Sequence, residues 1–202
     1  MKRPIMIGLT GSIGMGKTET AKMFARLGVP VYDSDAAVHR LYEKGGGAVA
    51  EIAKAFPASV VDGKIDRAKL TSIVTTDKAA FKQLEQIVHP LVARDQLKFL
   101  DDNASTEMVV LDIPLLFETG GHARMDAIVV VSAPAHIQRA RVLERPGMTE
   151  EKLDHILSRQ MSDEEKRAKA HFVIVTDKGL DQAFEQVKMV VAALKERKRS
   201  DA

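Results

Sequence analysis

At 202 residues the chain has room for one α/β core and a modest insertion, and 45% hydrophobic with 29% charged residues is the balance of an ordinary globular protein. The 30 Lys and Arg against 28 Asp and Glu leave a formal net charge of +2, too small for a nucleic-acid footprint, and the absence of cysteine excludes disulfides, thiolate nucleophiles and thiolate metal sites. No stretch nears the roughly 20 apolar residues of a membrane span, and the apolar run behind Met1-Lys2-Arg3 ends too soon for a secretory signal. The cytoplasm is the expected compartment, with neither membrane nor nucleic acid as partner.

The run Ile5–Leu9 reads as a first strand. Directly after it, Gly11-Ser12-Ile13-Gly14-Met15-Gly16-Lys17-Thr18 fits the phosphate-loop pattern G-x-x-x-x-G-K-[ST], and the helical spacing of Ala21, Phe24, Ala25 and Leu27 follows. Gly11, Gly14 and Gly16 free the backbone to turn successive N–H groups toward an anion. A helix opening at Lys17 adds its positive end. Lys17 is expected at the β- and γ-phosphates and the Thr18 hydroxyl at Mg²⁺. The stretch is read as the seat of a nucleoside triphosphate.

Further strands are predicted at Val29–Tyr32, Met108–Asp112, Ala127–Val131 and His171–Val175. Most are continuous Val/Ile/Leu runs, as in parallel strands covered on both faces. With helices between them they predict an α/β three-layer sandwich of the phosphate-loop type around a parallel sheet. Asp33 and Asp35 follow the second strand, where open parallel sheets bind ligands. If the chain stays extended there, residues two apart point the same way, and a close carboxylate pair suits one member to accept a proton from an alcohol. The alternative, a helix cap at Asp33 and a first-turn acid at Asp35, stays open.

From about 36 to 104 the alternation stops. Helices are predicted at Ala36–Glu43, Ala48–Phe56, Arg67–Thr75, Ala79–Val88 and Leu91–Leu100, with Asp66 capping the third and no strong strand between them. Gly45-Gly46-Gly47 and Asp62-Gly63 punctuate the block, and His89-Pro90 reads as a helix break because the residue before proline avoids helical geometry. This is a helical insertion suited to a second substrate, or to packing alone, within a single domain whose core is about 1–35 and 105–202. His89 on its own reads as structural.

Asp112 ends the third strand, a usual place for a carboxylate that serves Mg²⁺, although Pro114 makes a turn residue an equal alternative. Pro134 opens a helix through Ile137 and Val142, Thr149 caps the next, and Ser162 with Glu165 forms a capping box. Gln138, Arg141 and Arg145 share a helical face by their spacing while Arg139 points elsewhere. That stripe, in a lid at about 138–160, would supply cations for phosphoryl transfer. Lys195-Glu196-Arg197-Lys198-Arg199 reads as the end of a last helix. No spacing of His, Asp and Glu suggests a zinc site.

These features stand in a particular order: Leu9-Thr10-Gly11, the phosphate loop, Asp33-Ser34-Asp35, Ile65-Asp66-Arg67, His89-Pro90 and Pro114-Leu115-Leu116-Phe117-Glu118. Gln138 with Arg141 and Arg145 follows, then Gln160, Arg167 and Phe172–Val175. In this the chain resembles the dephospho-CoA kinase family over nearly its whole length. The phosphate loop is shared by many folds; the Pro-Leu-Leu-Phe-Glu string and the ordered series are specific. The resemblance implies transfer of the γ-phosphoryl of ATP, with Mg²⁺, to the 3′-hydroxyl of dephospho-CoA. It implies Asp35 as general base, Gly11–Thr18 on ATP, and Lys17, Arg141 and Arg145 at the transferred group. Thr10, Asp33, Arg67 and His89 would serve the acceptor, and Thr18 with Asp33 or Asp112 the metal. Closure of lid and insertion would exclude water.

Two positions depart from the family pattern: His171 stands where aspartate is expected, and Thr176 where an asparagine near the adenine is expected. A nucleoside or nucleotide kinase of the same architecture is the first competing reading. A guanine-nucleotide switch or binding module is the second, but it needs an Asn-Lys-x-Asp segment, of which Thr176-Asp177-Lys178 shares only part. The oligomeric state is not legible in the sequence.

Overall fold

The computed structural model describes residues 3–200; Met1 and Lys2 lie outside that range, as do the side chains of Lys198 and Arg199 in the basic run at the other end. The chain divides into two compact units, one formed by the chain up to Tyr32 and from Asn103 onward, the other by Asp33–Asp102.

The discontinuous unit begins with β1 (Ile5–Thr10), α1 (Lys17–Arg26) and β2 (Val31–Asp33). The insertion holds α2 (Ser34–Tyr42), α3 (Val49–Ala55), β3 (Val60–Val61), β4 (Lys64–Ile65), α4 (Arg67–Thr76) and α5 (Lys78–Asp102). The chain then returns with β5 (Met108–Asp112), β6 (Ala127–Ser132), α6 (Ala135–Leu143), α7 (Glu150–Leu157), α8 (Asp163–Ala168), β7 (Phe172–Val175) and α9 (Leu180–Ser200).

The main sheet has five strands in the order β2-β5-β1-β6-β7. β1 lies at its centre, parallel to β5 with Ile7 opposite Val110 and to β6 with Leu9 opposite Val129, while β7 continues beyond β6 in the same sense. Every residue of β5 and β6 is buried, which is why both read as unbroken apolar runs. Alternate residues of β6 serve opposite faces. Val129 and Val131 join Phe24 and Met23 of α1 and Val187 and Leu194 of α9, whereas Ile128 and Val130 join Leu116 and Phe117. Helices α1 and α9 thus cover one face, and the turn after β5 with α8 covers the other, which makes three layers. The start of β7 is pinned by His171, whose backbone N–H donates to the Ile128 carbonyl at 2.9 Å and whose Nδ1 accepts from the Ile128 N–H at 3.1 Å.

The helical unit has its own core of Tyr42, Ile52, Phe56, Ile65, Leu70, Val74 and Val88. Two features of this unit differ from what its sequence predicts. A small antiparallel hairpin, β3 with β4, crosses the Asp62-Gly63 turn, where both residues adopt positive φ (51° and 77°). Strands of this length show no hydrophobic period, so only their turn was visible. The predicted break at His89-Pro90 does not occur, and α5 runs through both residues. Proline removes the donor for the carbonyl four residues back, but Leu84, Ile87 and Val88 before it and Leu91 and Val92 after it pack on one core. Tertiary packing outweighs the local cost.

Candidate active site

The phosphate loop joins β1 to α1. Gly16 precedes the helix at φ 94° and Gly14 sits at φ 78°, both in the left-handed region. Gly11 is required for a different reason: a Cβ there would lie 2.6 Å from the Val131 carbonyl oxygen. No side chain caps α1, so the N–H groups of its first turn are left for an anion. Met15 is anchored beneath the loop, its sulfur accepting from the Ala133 N–H at 3.1 Å. Lys17 opens α1 and its Nζ forms an ion pair with Asp112 at the end of β5; the two side chains are 16% and 6% exposed. Thr18, one residue on, is exposed. Thr10 is fully buried, its hydroxyl donating to the Pro114 carbonyl at 3.0 Å, so it braces the segment after β5 and is not presented to solvent.

Helix α6 packs against this loop. A Cβ on Gly14 would lie 2.5 Å from Val142 Cγ2. Gln138 is 5% exposed and its Nε2 donates to the Ile13 carbonyl at 2.7 Å. Arg141 donates to the Thr176 hydroxyl at 2.9 Å and the Thr176 carbonyl at 2.7 Å, while the Thr176 hydroxyl donates to the Met15 carbonyl at 2.8 Å. Thr176 therefore ties β7 to both α6 and the loop. The expected single stripe is corrected on one point: α6 ends at Leu143, so Arg145 lies past the helix and is exposed. Arg139 does point elsewhere, pairing with Glu150 and with Asp154 at 3.0 Å. Beside the loop is a cleft of about 310 Å³ bordered by Gly16, Met23, Arg141, Arg145, Leu180 and Ala183.

A buried ion pair escaped the sequence reading. The Lys166 side chain is 0% exposed, with Nζ 3.0 Å from Glu118 Oε1 and out of line for a well-directed hydrogen bond. Glu118 also accepts from the Met161 N–H at 2.8 Å. Burial works to raise the Glu118 carboxyl, but its own and the Met161 N–H groups, together with Lys166, hold it below the usual glutamate range. A depressed folded-state value gives stabilisation at neutral pH that is lost as pH falls through the folded value. The melting temperature should therefore drop more steeply below about pH 4.3 in the native chain than in Glu118→Gln. Parallel melting curves down that range would remove the pair from any part in acid stability. Lys166 was legible only as a charge on a short capped helix; nothing local marks it as buried.

In the helical unit, Asp33 accepts from the Ala36 N–H at 2.9 Å and caps α2. Asp35 lies in the first turn of that helix, and both carboxylates are exposed. The extended-chain premise that aimed them together is overturned, because the helix begins at Ser34 once Asp33 supplies its cap. Asp66 caps α4 by accepting from the Lys69 N–H at 3.0 Å, which sets Arg67 at the first helical position. Burial pushes the Tyr42 phenol above its ordinary value, with the Arg67 charge pulling the other way. His89 is exposed, its Nε2 3.9 Å from Glu85 Oε1.

A parallel sheet that delivers a glycine cradle to a helix start, with a lysine–carboxylate pair at its mouth, defines a phosphotransferase of the phosphate-loop kinase class. Comparison with known proteins narrows this. The family model for dephospho-CoA kinase (CoaE) matches residues 5–182. The dephospho-CoA kinase of Mesorhizobium japonicum is 56% identical over 198 residues, covering 97% of this chain and 100% of that one. Among solved structures, TT1252 from Thermus thermophilus superposes with a TM-score of 0.84 at 36% identity, covering 95% of this chain and 98% of that one. The dephospho-CoA kinase from Campylobacter jejuni shares the fold, with a TM-score of 0.66 at 23% identity over 94% and 96% of the two chains. The chain belongs to the dephospho-CoA kinase family.

Proposed function

We propose that the chain, acting in the cytoplasm, moves the γ-phosphoryl group of ATP to the 3′-hydroxyl of dephospho-CoA and releases ADP and coenzyme A. The observation that carries the nucleotide half is the Lys17–Asp112 pair beside the uncapped start of α1. Lys17 is held next to the cradle by a partner it can exchange for phosphate, and Asp112 stands beside the cradle where a cation would sit. Among the described residues no three His, Cys, Asp or Glu side chains converge as a metal cage. One hydroxyl and one carboxylate near the start of α1, Thr18 and Asp112, are a donor set that fits Mg²⁺, which keeps most of its shell as water and phosphate oxygen and takes one or two protein ligands. Thr18 and Asp112 would hold it, with Asp33 as the other candidate carboxylate. When bound, the ion neutralises charge on the β- and γ-phosphates.

Lys17 then stabilises charge on the migrating group, and the loop Gly11–Thr18 holds the polyphosphate, with the Met15 N–H bonded instead to the Ser12 carbonyl at 3.2 Å. Arg141 and Arg145 border the cleft beside the loop, from which they are the further cations for the transferred group. Asp35 accepts the proton of the 3′-hydroxyl as its oxygen bonds to phosphorus and the bond to ADP breaks. Arg67 and His89 supply positive or polar contacts to the acceptor from the helical unit. Asp33 supports Asp35 by fixing the start of α2.

The test is an acceptor comparison with ATP and Mg²⁺. Dephospho-CoA should yield coenzyme A and ADP in equal amounts, and without an acceptor ATP hydrolysis should be slow. Phosphorylation of a nucleoside or nucleotide with none of dephospho-CoA would overturn the substrate assignment. Fast hydrolysis without an acceptor, or binding of guanine nucleotides in preference, would overturn the kinase reading.

A further inference from the structure

Ile13 lies in the phosphate loop between Gly11 and Gly14, in a stretch whose glycines have the most conformational freedom to lose. Among the described residues neither its N–H nor its carbonyl bonds to other backbone. Backbone polar groups in ordered structure are nearly always paired. Here the partners are side chains: the Ile13 carbonyl accepts from Gln138 Nε2 at 2.7 Å, and the Ile13 N–H donates to Gln160 Oε1 at 3.3 Å. Two side-chain amides, one on α6 and one in the segment between α7 and α8, grip one residue at both of its backbone groups.

Each glutamine is itself fixed. Gln138 is buried on α6, its N–H bonded to the Pro134 carbonyl at 3.0 Å, on the face of α6 that packs against Gly14. Gln160 lies between α7 and α8, its N–H bonded to the Leu157 carbonyl at 3.1 Å. The next residue, Met161, donates to Glu118, which the fully buried Lys166 accompanies at 3.0 Å. Ser162 then closes its capping box with Glu165. The Glu118–Lys166 pair and the α8 cap thus hold the segment that carries Gln160. A neutral amide suits the task beside a triphosphate, since it accepts a hydrogen bond without adding negative charge.

We propose that Gln138 and Gln160 are a pair of positioning residues that bracket Ile13 and so keep the phosphate loop in the shape that receives the nucleotide before the nucleotide arrives. The inference rests on reading Gly11–Thr18 as the ATP site and on no particular acceptor. Its energetic content is preorganisation: order fixed in the free protein is not charged to binding.

The experiment uses the whole 202-residue chain, MgADP as probe and no acceptor. Gln138→Leu and Gln160→Leu should each weaken MgADP binding by about 3- to 10-fold, the range of a neutral hydrogen bond. The double variant should fall short of the product of the two, because both act on one residue. Melting temperature should move by less than about 4 °C. Amide hydrogen exchange at Ile13 should speed up in Gln160→Leu and stay near the native rate in Gln160→Glu, which keeps an acceptor. Native Ile13 exchange in Gln160→Leu, or unchanged MgADP affinity in both single variants, would overturn the proposal. So would equal loosening in Gln160→Glu, since the acceptor atom would then be irrelevant. A native enzyme that binds MgADP but ignores dephospho-CoA would overturn the acceptor assignment and leave this measurement decisive.

Discussion

Lys17→Ala should lower kcat by about 10²- to 10³-fold, the effect of removing one preorganised donor from the site of developing charge. The reason is more than a lost contact. Asp112 is 6% exposed and is paired with Lys17. Without the ammonium that carboxylate faces the phosphate loop with less compensation and repels an incoming triphosphate. MgATP affinity should therefore fall together with turnover. The double variant Lys17→Ala/Asp112→Asn separates charge repulsion from catalysis. Removing the carboxylate relieves the repulsion, so affinity for ADP without Mg²⁺ should recover relative to Lys17→Ala, while turnover stays low because the Lys17 ammonium is still missing from the γ-phosphate. Binding by titration calorimetry and turnover with saturating acceptor read the two effects apart. Retention of more than about a tenth of native kcat in Lys17→Ala would show that Lys17 carries little of the transition-state charge.

The parts of this molecule that were legible in sequence are those whose physics is local or periodic. The strands of the parallel sheet were legible as apolar runs, most plainly β5 and β6, whose residues are all buried. Caps at Asp66, Thr149 and Ser162 were readable because a side chain three residues from its N–H partner needs no tertiary context. The phosphate loop is likewise a contiguous pattern. What was not legible depends on which distant side chains meet. Thr176, marked only as a departure near the adenine, proves to tie Met15 and Arg141 to the end of β7. His171, the other departure, secures the edge of β6 with its ring nitrogen. Pro90 misled because its local cost is real, but packing on both sides of it exceeds that cost. Gln138 and Gln160 were visible as members of a family series, yet their shared hold on Ile13 spans a sequence distance that no spacing rule covers.

Asp35→Asn should lower kcat by about 10²- to 10⁴-fold, the usual range for a lost general base, while leaving MgATP affinity near native. An amide has the shape of the carboxylate but cannot take the acceptor's proton. Local structure makes the substitution clean. Asp35 is exposed in the first turn of α2, and the cap of that helix is Asp33, which accepts from the Ala36 N–H at 2.9 Å. Asp33→Asn is the matched control, because asparagine caps as well as aspartate and the same charge is removed two positions away. If the carboxylate at Asp35 accepts the proton, Asp35→Asn loses kcat far more than Asp33→Asn, and both keep native melting. Equal modest losses would mean that only the negative charge at the start of α2 matters. A large loss in Asp33→Asn with native turnover in Asp35→Asn would transfer the base role to Asp33, whose carboxylate would then have to leave the Ala36 N–H to act. Phosphoryl acceptors of graded acidity separate these outcomes further. Turnover that no longer needs a base should be rescued in Asp35→Asn by a more acidic hydroxyl, whereas a residue that only positions the acceptor gains nothing from that change.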